Sequence, residues 1–382
     1  MHKYATEKLF EIKDVFGASK YNKKLFFEAI RESFDFHYKN SAFYADICRQ
    51  TSFSPSEIKS YEDIKKIPYV FIDVFKHYEL LSVPKKEIIF TFTSSGTKGI
   101  KSQIMWDNVS LNRQTVMREM TMKALGLTSN ISARYMVFSY DYSQSSGRGV
   151  SARGMSARGA AYAHHMYTSF APEIEKYSAL KIRKPGSDFS FDLKEAAAKL
   201  EEFAGKGDPV RIVGFPSFTY FTVKELMKKH KQLPLHPESV IINGGGWKMH
   251  TGQEISKQAY RRELSRFFGI PEGNIRDVFG MVEHGVPYIS CSHGNFHEPL
   301  YSKILIRHPL TGKILPDGET GLLQFLTPYI RSMPTFSLLS SDLGFIRNDC
   351  GCGIKKPYFT VLRRGGTTLY KGCALTASEL IK

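Results

Sequence analysis

A short run of hydroxyl, glycine and lysine residues has the chemistry of a phosphate-binding loop. In order, the run is Thr93, Ser94, Ser95, Gly96, Thr97 and Lys98. Hydroxyls and free backbone N–H groups donate hydrogen bonds to phosphate oxygens, lysine adds positive charge, and glycine lets the backbone approach a ligand closely. The run differs from the pattern G-x-x-x-x-G-K-[ST], because Ile100 separates Gly99 from Lys101. It predicts a polyphosphate loop of another kind, and an ordinary solvated loop is the alternative.

Three cysteines and a histidine have the composition of a structural zinc site. Cys350 and Cys352 form a C-x-C pair, and Cys291 and His297 lie in an earlier segment that also contains His293. Thiolates and imidazoles are the ligands of tetrahedral zinc, and four protein ligands leave no position open for catalysis. The sequence therefore predicts that Cys291, His297, Cys350 and Cys352 bind Zn²⁺ in a structural role. His293 is an alternative ligand, and reduced cysteines without metal are the alternative to the site itself.

Two acidic residues stand in short motifs in the second half of the chain. Glu283 ends the motif FGMVE, and Asp342 lies in the motif SSDL. One carboxylate combined with phosphate oxygens suits Mg²⁺, and a carboxylate can also accept hydrogen bonds from sugar hydroxyls. Glu283 and Asp342 are therefore candidate site residues. An exposed loop acid and a turn-forming aspartate are the ordinary alternatives.

The elements that must position these residues alternate between strand and helix. The predicted strands are 88–90, 135–139, 210–215 and 239–242, and the predicted helices are 109–125, 187–203, 218–230 and 252–268. This alternation is typical of a doubly wound α/β domain, in which ligands bind beyond the carboxyl ends of the strands. We expect the glycine-rich loops at 93–99, 243–247 and 279–285 to converge there.

The order of the predicted elements divides the chain into four parts. Residues 1–85 are mainly helical, residues 86–285 form the α/β part, residues 286–362 are rich in strands, and residues 363–382 form a tail. A chain of 382 residues exceeds the ~250–300 residues at which a single core stops growing. We therefore expect a large lobe that carries an additional small subdomain.

Composition and charge limit the classes to which the protein can belong. The chain is 42% hydrophobic and 24% charged, which is ordinary for a globular protein. Its net charge of +16 has no accompanying helix-turn-helix, zinc-finger or RNP pattern, so nucleic acid is not the expected partner. A basic surface, or attraction of anionic substrates or an acidic partner, accounts for the charge equally well.

Cysteine content and hydropathy predict a cytoplasmic location. The chain has 5 cysteines, an odd number that favours thiols or metal ligands in a reducing compartment over a disulfide framework. The N-terminal segment lacks the apolar region of a signal peptide. No apolar run approaches the ~18 residues of a membrane helix, so no membrane span is expected.

Six motifs occur in the order found in adenylate-forming enzymes. They are SSGTKGIK at 94–101, FPSFTYF at 215–221, NGGG at 243–246, FGMVE at 279–283, PDGETG at 316–321 and SSDL at 340–343. Each motif is weak alone, but six in series are a specific signal. Along nearly its whole length the chain resembles the phenylacetate–CoA-ligase-like branch of this superfamily, and within that branch the LuxE-type acyl-protein synthetases of bacterial bioluminescence.

The resemblance implies an α/β adenylation domain with doubly wound sheets over residues 1–362, followed by a truncated C-terminal domain. It also implies ATP-dependent activation of a carboxylic acid, a long-chain fatty acid in this family, as acyl-AMP with Mg²⁺ bound at Glu283. Lys98 and Glu283 would act in catalysis. The implied nucleotide-binding residues are Thr93, Ser94, Ser95, Gly96, Thr97, Lys98, Gly244, Gly245, Gly246, Asp277, Phe279, Gly280, Asp342 and Arg364.

The chain departs from the family pattern at several of these motifs. Lys98 replaces the usual Thr or Ser, Phe279 replaces Tyr, Val282 replaces Thr, and Ser341 replaces Gly. Phenylalanine keeps the stacking surface of tyrosine and loses the hydroxyl. Valine at position 282 removes a hydroxyl that commonly meets the α-phosphate in this family.

A cysteine in the tail is the implied acyl acceptor. In LuxE-type proteins a cysteine near the C-terminus accepts the acyl group as a thioester, and Cys373 has that position here. Gly372 gives the segment freedom to move, and Lys371 and Arg364 favour the nucleophilic thiolate. A buried tail cysteine without a chemical role is the alternative. The implied partner is an acyl reductase or an acyl-carrier protein.

Three functions follow from these observations. The first is an acyl-protein synthetase that loads Cys373 and delivers the acyl group to a reductase. The second is a ligase that transfers the acyl group directly to coenzyme A, to a carrier-protein thiol or to an amine. The third is a non-catalytic nucleotide-binding subunit, which Val282 and the short tail would explain.

Overall fold

Helices make up most of the N-terminal part of the chain and alternate with strands in the middle. The computed structural model describes residues 4–93, 102–140, 155–182, 189–247, 252 and 254–364. The α-helices are α1 (Ala5–Leu9), α2 (Lys20–Asn40), α3 (Ala42–Gln50), α4 (Val74–His77), α5 (Asn108–Ala124), α6 (Gly159–Met166), α7 (Leu193–Lys206), α8 (Pro216–Leu226) and α9 (Lys257–Phe268). Short 3₁₀ helices lie at Pro55–Glu57, Tyr61–Lys66, Lys85–Glu87 and Glu272–Asn274. Among these described helices, none has both the length and the apolar character that crossing a bilayer requires.

The strands form three sheets. In chain order they are β1 (Val70–Phe71), β2 (Ile88–Thr93), β3 (Gln103–Asp107), β4 (Ala133–Tyr140), β5 (Met155–Arg158), β6 (Glu173–Ile182), β7 (Phe189–Phe191), β8 (Val210–Gly214), β9 (Val240–Gly244), β10 (Ile275–Phe279), β11 (Tyr288–Ile289), β12 (Phe296–His297), β13 (Lys303–Arg307), β14 (Gly321–Leu326), β15 (Ser337–Arg347) and β16 (Tyr358–Arg364). The α/β architecture predicted from the sequence is confirmed.

The central sheet has seven strands in the order β11-β10-β9-β8-β4-β6-β7. Five strands of this sheet run parallel to one another: β10, β9, β8, β4 and β6. The edge strands run antiparallel to their neighbours, β7 to β6 and β11 to β10. Every residue of β8 and β9 is buried. Such fully buried strands are typical of a parallel sheet that is covered on both faces. This sheet is the doubly wound part of the fold.

A six-stranded sheet joins the two ends of the described chain. Its order is β12-β16-β15-β14-β13, and β1 pairs in parallel with β15. Val70 lies opposite Leu338, and Phe71 lies opposite Leu339. The N-terminal part and the β-rich part therefore share one sheet, and one apolar core includes residues from both.

The third sheet has three strands in the order β3-β2-β5. Strand β2 leads into the phosphate-loop motif, whose residues 94–101 lie outside the described part of the chain. The expectation that three glycine-rich loops follow strands of one doubly wound sheet is wrong for the loop at 93–99. Since β2 pairs with β3 and β5, this loop follows a strand of the small sheet.

Two predicted helices begin later than their sequence patterns indicated. In the predicted helix 187–203, Phe189–Phe191 form strand β7, and Asp192 caps helix α7 by accepting a hydrogen bond from the Glu195 N–H over 3.0 Å. In the predicted helix 252–268, Ser256 caps α9 by accepting from the Ala259 N–H over 3.1 Å. An N-cap residue fixes the first turn of a helix, so these side chains decide where each helix starts.

A buried histidine ties the N-terminal helices to the six-stranded sheet. His37 on α2 is 0% exposed, and its ring stacks on Phe336 with 5.0 Å between centroids. Its Nδ1 lies 2.8 Å from Ser82 Oγ, and its Nε2 lies 3.1 Å from the carbonyl oxygen of Ile330. Burial lowers the pKa of His37 to about 3, so the ring stays neutral and serves as a packed hydrogen-bonding group.

Candidate functional site

The carboxyl ends of three neighbouring parallel strands meet at one edge of the central sheet. In register, Gly214 of β8 lies opposite Asn243 of β9, and Asn243 lies opposite Asp277 of β10. Gly214 has a φ of +141°, and a Cβ there would lie 2.2 Å from the carbonyl oxygen of Phe138. Only glycine fits this close approach of β8 to β4. The predicted convergence of the loops at 243–247 and 279–285 is confirmed by this register.

Asn243 is the polar centre of this edge. Its Nδ2 donates to the carbonyl oxygen of Gly214 over 3.0 Å and to Thr219 Oγ1 over 3.1 Å. Its Oδ1 accepts from the Tyr260 hydroxyl over 2.5 Å. The side chain is 3% exposed, so these contacts satisfy a buried amide. They connect β8, α8 and α9 to the start of the glycine-rich loop.

The glycine-rich loop Gly244–Gly246 turns away from β9 through two left-handed residues. Gly245 has a φ of +82° and Gly246 a φ of +70°. A Cβ on Gly244 would lie 3.1 Å from Val278, which is a tight contact. Trp247 then anchors the loop with a ring that is 6% exposed and packs on Tyr220, Phe221 and Tyr260. The loop thus exposes backbone between two fixed ends.

The turn after β10 places Glu283 inside the protein. The N–H of Gly285 donates to the carbonyl oxygen of Met281 over 2.8 Å, and this bond closes the turn. Glu283 is 4% exposed and His284 is 1% exposed. His284 Nε2 lies 2.8 Å from the Tyr288 hydroxyl, and burial lowers the pKa of His284 to about 3. A neutral histidine and a buried carboxylate therefore lie side by side in this turn.

The ring of Phe279 is half-buried against the six-stranded sheet. It stacks on Phe325 with centroids 5.9 Å apart and meets the ring of Phe359 edge-on at 5.6 Å. It also contacts Tyr288 and Phe296. These contacts hold the end of β10 against the sheet that carries Asp342, so the two sheets meet at Phe279.

Asp277 and Asp342 have different surroundings. The carboxylate of Asp277 forms an ion pair with Lys257 at the start of α9. Asp342 is 9% exposed and lies inside strand β15, not in a turn, with its backbone opposite that of Arg364. The pairing shifts register immediately after this residue, between Leu343 and Gly344. A bulge of this kind changes the direction of nearby side chains.

The four predicted zinc ligands lie together. One donor atom from each of Cys291, His297, Cys350 and Cys352 lies within 4.8 Å of the other three. Cys291 Sγ is 3.7 Å from Cys350 Sγ, and Cys352 Sγ is 3.2 Å from His297 Nε2. With Zn–S of ~2.3 Å and Zn–N of ~2.0–2.1 Å, a tetrahedral site needs separations of about 3.8 Å and about 3.6 Å. The spacing fits zinc, and the sulfurs are too far apart for a disulfide.

Hydrogen bonds orient the ligands from outside this cluster. His297 Nδ1 lies 2.8 Å from the carbonyl oxygen of Lys356, an acceptor that requires the proton on Nδ1 and leaves Nε2 free to bind metal. Asn295 Nδ2 donates to Cys350 Sγ over 3.2 Å. Burial raises the pKa of Cys352 to about 12, which a metal ion would reverse. His293, the alternative ligand, lies near Gly351 outside the set of four.

The cluster joins the central sheet to the six-stranded sheet. Cys291 follows β11, which pairs with β10, whereas His297 belongs to β12, which pairs with β16. Cys350 and Cys352 lie in the connection between β15 and β16. A bound ion would fix the position of β10, and of the turn that follows it, relative to the sheet that carries Asp342.

Several predicted site residues lie outside the described part of the chain. The structure gives the backbone of Thr93 and Arg364 at the ends of β2 and β16 but not their side chains. Six further predicted site residues lie entirely outside the described part: Ser94, Ser95, Gly96, Thr97, Lys98 and Cys373. Their roles stay predictions.

Three polar residues of this region were not among the residues predicted from the sequence. Asn243 ends an apolar run directly before three glycines, and that position was a usable signal. The sequence gives no signal for Lys257 or His284, because their contacts with Asp277 and Tyr288 depend on how α9 and the turn after β10 pack.

Comparison with known proteins identifies relatives along almost the whole chain. The family model "Acyl-protein synthetase, LuxE" matches residues 8–382. A long-chain-fatty-acid–luciferin-component ligase from Vibrio harveyi is 27% identical over 94% of this chain and 88% of its own length. The ligase of the same name from Aliivibrio fischeri is 24% identical over 92% of this chain and 88% of its own length.

Solved structures share the fold. A crystal structure of 2-hydroxyisobutyryl-CoA ligase in an open conformation, with 2-HIB-AMP and CoA bound, superposes with a TM-score of 0.64. It is 15% identical, and the match covers 92% of this chain and 76% of that one. This similarity shows the fold of an adenylate-forming enzyme.

Replacing Asn243 tests whether it organises the edge of the sheet. Asn243→Ala removes the amide and leaves the Tyr260 hydroxyl without its buried acceptor, so we expect a loss of about 3 kcal/mol of unfolding free energy in urea titrations. Asn348→Ala is the matched control, because Asn348 is exposed and bonds only to Asp317 among described residues. Equal stabilities for the two variants would contradict the assignment.

Proposed function

The chain belongs to the acyl-protein synthetase family LuxE, and from this premise we propose that it activates a long-chain fatty acid as acyl-AMP and then carries the acyl group on Cys373. Membership of this family, together with the adenylate-forming fold, makes the chain a ligase that activates acyl groups. The identity of the acid, the thioester and its delivery to a reductase are the proposed part.

One observation carries the proposal. The Gly244–Gly246 loop and the turn that holds Glu283 leave neighbouring strands, and Phe279 packs on the sheet whose strand β15 holds Asp342. Exposed loop backbone, an aromatic ring and buried carboxylates are the groups that a nucleotide with a metal ion requires. The region combines these groups at the end of a parallel sheet, where ligands of such sheets bind.

We assign the nucleotide contacts residue by residue. The adenine would lie against Gly244–Gly246 and the exposed part of the Phe279 ring, with Asp277 as an acceptor for its amino group. Asp342 would accept hydrogen bonds from the ribose hydroxyls, with Arg364 beside it. The phosphates would be held by the run from Thr93 to Lys98.

The buried carboxylate of Glu283 fits Mg²⁺, because one carboxylate combined with phosphate oxygens is a common magnesium environment. When bound with ATP, Mg²⁺ would neutralise phosphate charge. Lys98 would add positive charge at the same phosphates.

The adenylation step needs positioning more than covalent help from the protein. The fatty-acid carboxylate attacks the α-phosphorus of ATP, the bond to the bridging oxygen breaks, and pyrophosphate leaves with that electron pair. Burial of Glu283 and His284 keeps water away from this turn. Because His284 stays neutral, it adds no charge that would compete with Glu283.

The second step transfers the acyl group to the protein. The Cys373 thiolate attacks the acyl carbonyl, a thioester forms, and AMP leaves. Lys371 favours the thiolate, and Gly372 allows the segment to reach the site. The relatives from Vibrio harveyi and Aliivibrio fischeri are named for long-chain fatty acids, which favours that substrate here. A reductase would then accept the acyl group.

We also propose that Cys291, His297, Cys350 and Cys352 hold one structural Zn²⁺. The spacing of the donor atoms and the hydrogen bonds to His297 and Cys350 support this assignment. A Cys₃His set leaves no open position, so the ion would stabilise the junction between the two sheets without taking part in catalysis.

Intact-protein mass spectrometry tests the acyl-enzyme. After incubation with ATP, Mg²⁺ and a long-chain fatty acid, we expect the protein to gain the mass of one acyl group, removable by hydroxylamine. Cys373→Ser should still form acyl-AMP and release pyrophosphate but show no mass gain, and Lys98→Ala should lower both pyrophosphate release and the mass gain of the wild type, because Lys98 serves the earlier step. Cys48→Ser is the control, since burial raises the pKa of Cys48 to about 12 and leaves that thiol unreactive.

Release of AMP by the wild type without any mass gain would contradict transfer to Cys373. It would instead support direct transfer to coenzyme A, a carrier thiol or an amine. Neither product with a broad panel of acids would support the non-catalytic alternative.

Metal analysis and thermal unfolding test the zinc site. We expect purified protein to contain about one zinc ion per chain, and His297→Ala to lose it and unfold at a lower temperature. His293→Ala should keep the metal, because His293 lies outside the cluster. A chelator should lower the melting temperature of the wild type more than that of His297→Ala. Wild-type protein without zinc would refute the assignment.

A further inference from the structure

A polar cavity lies at the end of the central sheet opposite the candidate active site. Its volume is about 190 Å³, and it is lined by the starts of β8, β9 and β10 and by the turn that follows α5. The glycine-rich loops leave the other ends of β9 and β10, one strand length or roughly 16 Å away. None of the nucleotide assignments above involves this cavity.

Two arginines project from the sheet into the cavity. Arg211 of β8 lies opposite Val240, and Arg276 of β10 lies opposite Ile242. Val240 and Ile242 are two residues apart on β9 and therefore point to the same face of the sheet. Both arginines consequently share that face, and both line the cavity.

The two guanidinium groups are buried without a carboxylate partner in the described part of the chain. Arg211 is 3% exposed and Arg276 is 8% exposed. Arg211 Nη1 donates to the carbonyl oxygen of Leu127 over 2.8 Å, and Arg276 Nη1 donates to that of Ser290 over 2.9 Å. The Nε of Arg276 is buried and has no hydrogen-bond partner among the described residues.

Buried positive charge of this kind needs a counter-charge. Burial lowers the pKa of both Arg211 and Arg276, which shows that desolvation outweighs nearby favourable charges. The groups that act electrostatically on Arg276 are the thiols of Cys291 and Cys352, which carry charge only as thiolates, and the like-charged Arg261. A zinc ion with three thiolates has one net negative charge and would balance only one of the two guanidiniums.

We propose that this cavity binds a small oxyanion of the phosphate class between Arg211 and Arg276. The guanidinium fork matches the geometry of phosphate oxygens and donates two parallel hydrogen bonds. Thr128 and Ser129 also line the cavity, and their hydroxyls are able to donate to an anion, whereas the Ser129 N–H already donates to the carbonyl oxygen of Phe170. The cavity is smaller than the ~300–1,000 Å³ of sites for larger ligands, so inorganic phosphate or pyrophosphate fits and a whole nucleotide does not.

One carboxylate lies close enough to compete with the anion. Glu238 is exposed at the rim of the cavity, and its charge acts on Arg211. The Glu238 side chain would lose conformational entropy if it entered the cavity. A free multivalent anion is therefore the stronger partner for the two arginines. Removal of Glu238 should therefore strengthen anion binding.

Equilibrium dialysis with radiolabelled inorganic phosphate, at an ionic strength held constant with chloride, tests the proposal on the full chain. We expect the wild type to bind phosphate and Arg211→Gln to bind it with a Kd at least about tenfold higher. This is the change expected from losing one pair of charge-assisted hydrogen bonds. Glu238→Gln should bind about twofold more tightly, because it removes a nearby negative charge. Arg262→Gln, which changes an exposed arginine outside the cavity, is the matched control and should bind as the wild type does.

The variant Lys98→Ala distinguishes phosphate binding in this cavity from phosphate binding at the predicted phosphate loop. The proposal predicts that Lys98→Ala retains the phosphate site, whether or not the chain forms acyl-AMP. Loss of phosphate binding in Lys98→Ala with retention in Arg211→Gln would overturn the proposal, as would phosphate binding no tighter than that of chloride. If Arg211→Gln does not fold, unchanged binding in Glu238→Gln overturns it instead. Competition by pyrophosphate and not by acetate would fix the class of anion.

Discussion

The candidate site depends on strand β10, which belongs to the central sheet and leads through β11 to β12 of the six-stranded sheet. On one side β10 pairs in parallel with β9, and on the other it pairs antiparallel with β11. The short segment from β10 to β12 carries Asp277, Phe279, Glu283, Cys291 and His297. A change in the register of β10 would therefore displace the proposed nucleotide contacts and the proposed zinc ligands together. Aromatic rings hold this junction, and the proposed zinc site lies at the same place.

The two ends of the central sheet differ in how their buried polar groups are satisfied. At the carboxyl ends, Asn243 satisfies its own amide and leaves the glycine-rich backbone available for a ligand. At the amino ends, Arg211 and Arg276 bring positive charge into the interior, and the acidic side chain that acts on Arg211, Glu238, is exposed at the rim. Under the two proposals, dissolved anions would stabilise the amino end, whereas substrate would bind at the carboxyl end. The net charge of +16 makes the attraction of anions general, and the buried arginines make it local.

Local patterns in the sequence were sufficient for strands β4, β8 and β9 of the central sheet and for the set of three cysteines and a histidine, but not for β6 and β7. Apolar runs that end in glycine predicted β8 and β9, and the types and spacing of Cys291, His297, Cys350 and Cys352 predicted a set that the structure brings together. Pairings between distant segments could not be predicted in this way. Nothing in Val70 or Phe71 indicates that they pair with Leu338 and Leu339, because short apolar segments fit many partners. The buried arginines were also missed, since an arginine within an apolar strand reveals its partner only after the strands are placed.

The central claim is that this chain joins a fatty acid to AMP, and isotope exchange between ATP and pyrophosphate measures that step alone. The account predicts exchange that requires both Mg²⁺ and a long-chain fatty acid, and that persists in Cys373→Ser because acyl transfer follows adenylation. Exchange should fall at least about tenfold in Glu283→Gln, which keeps the size of the side chain and removes its charge. Absence of exchange with every carboxylic acid tried, or exchange unaffected by Glu283→Gln, would contradict the account.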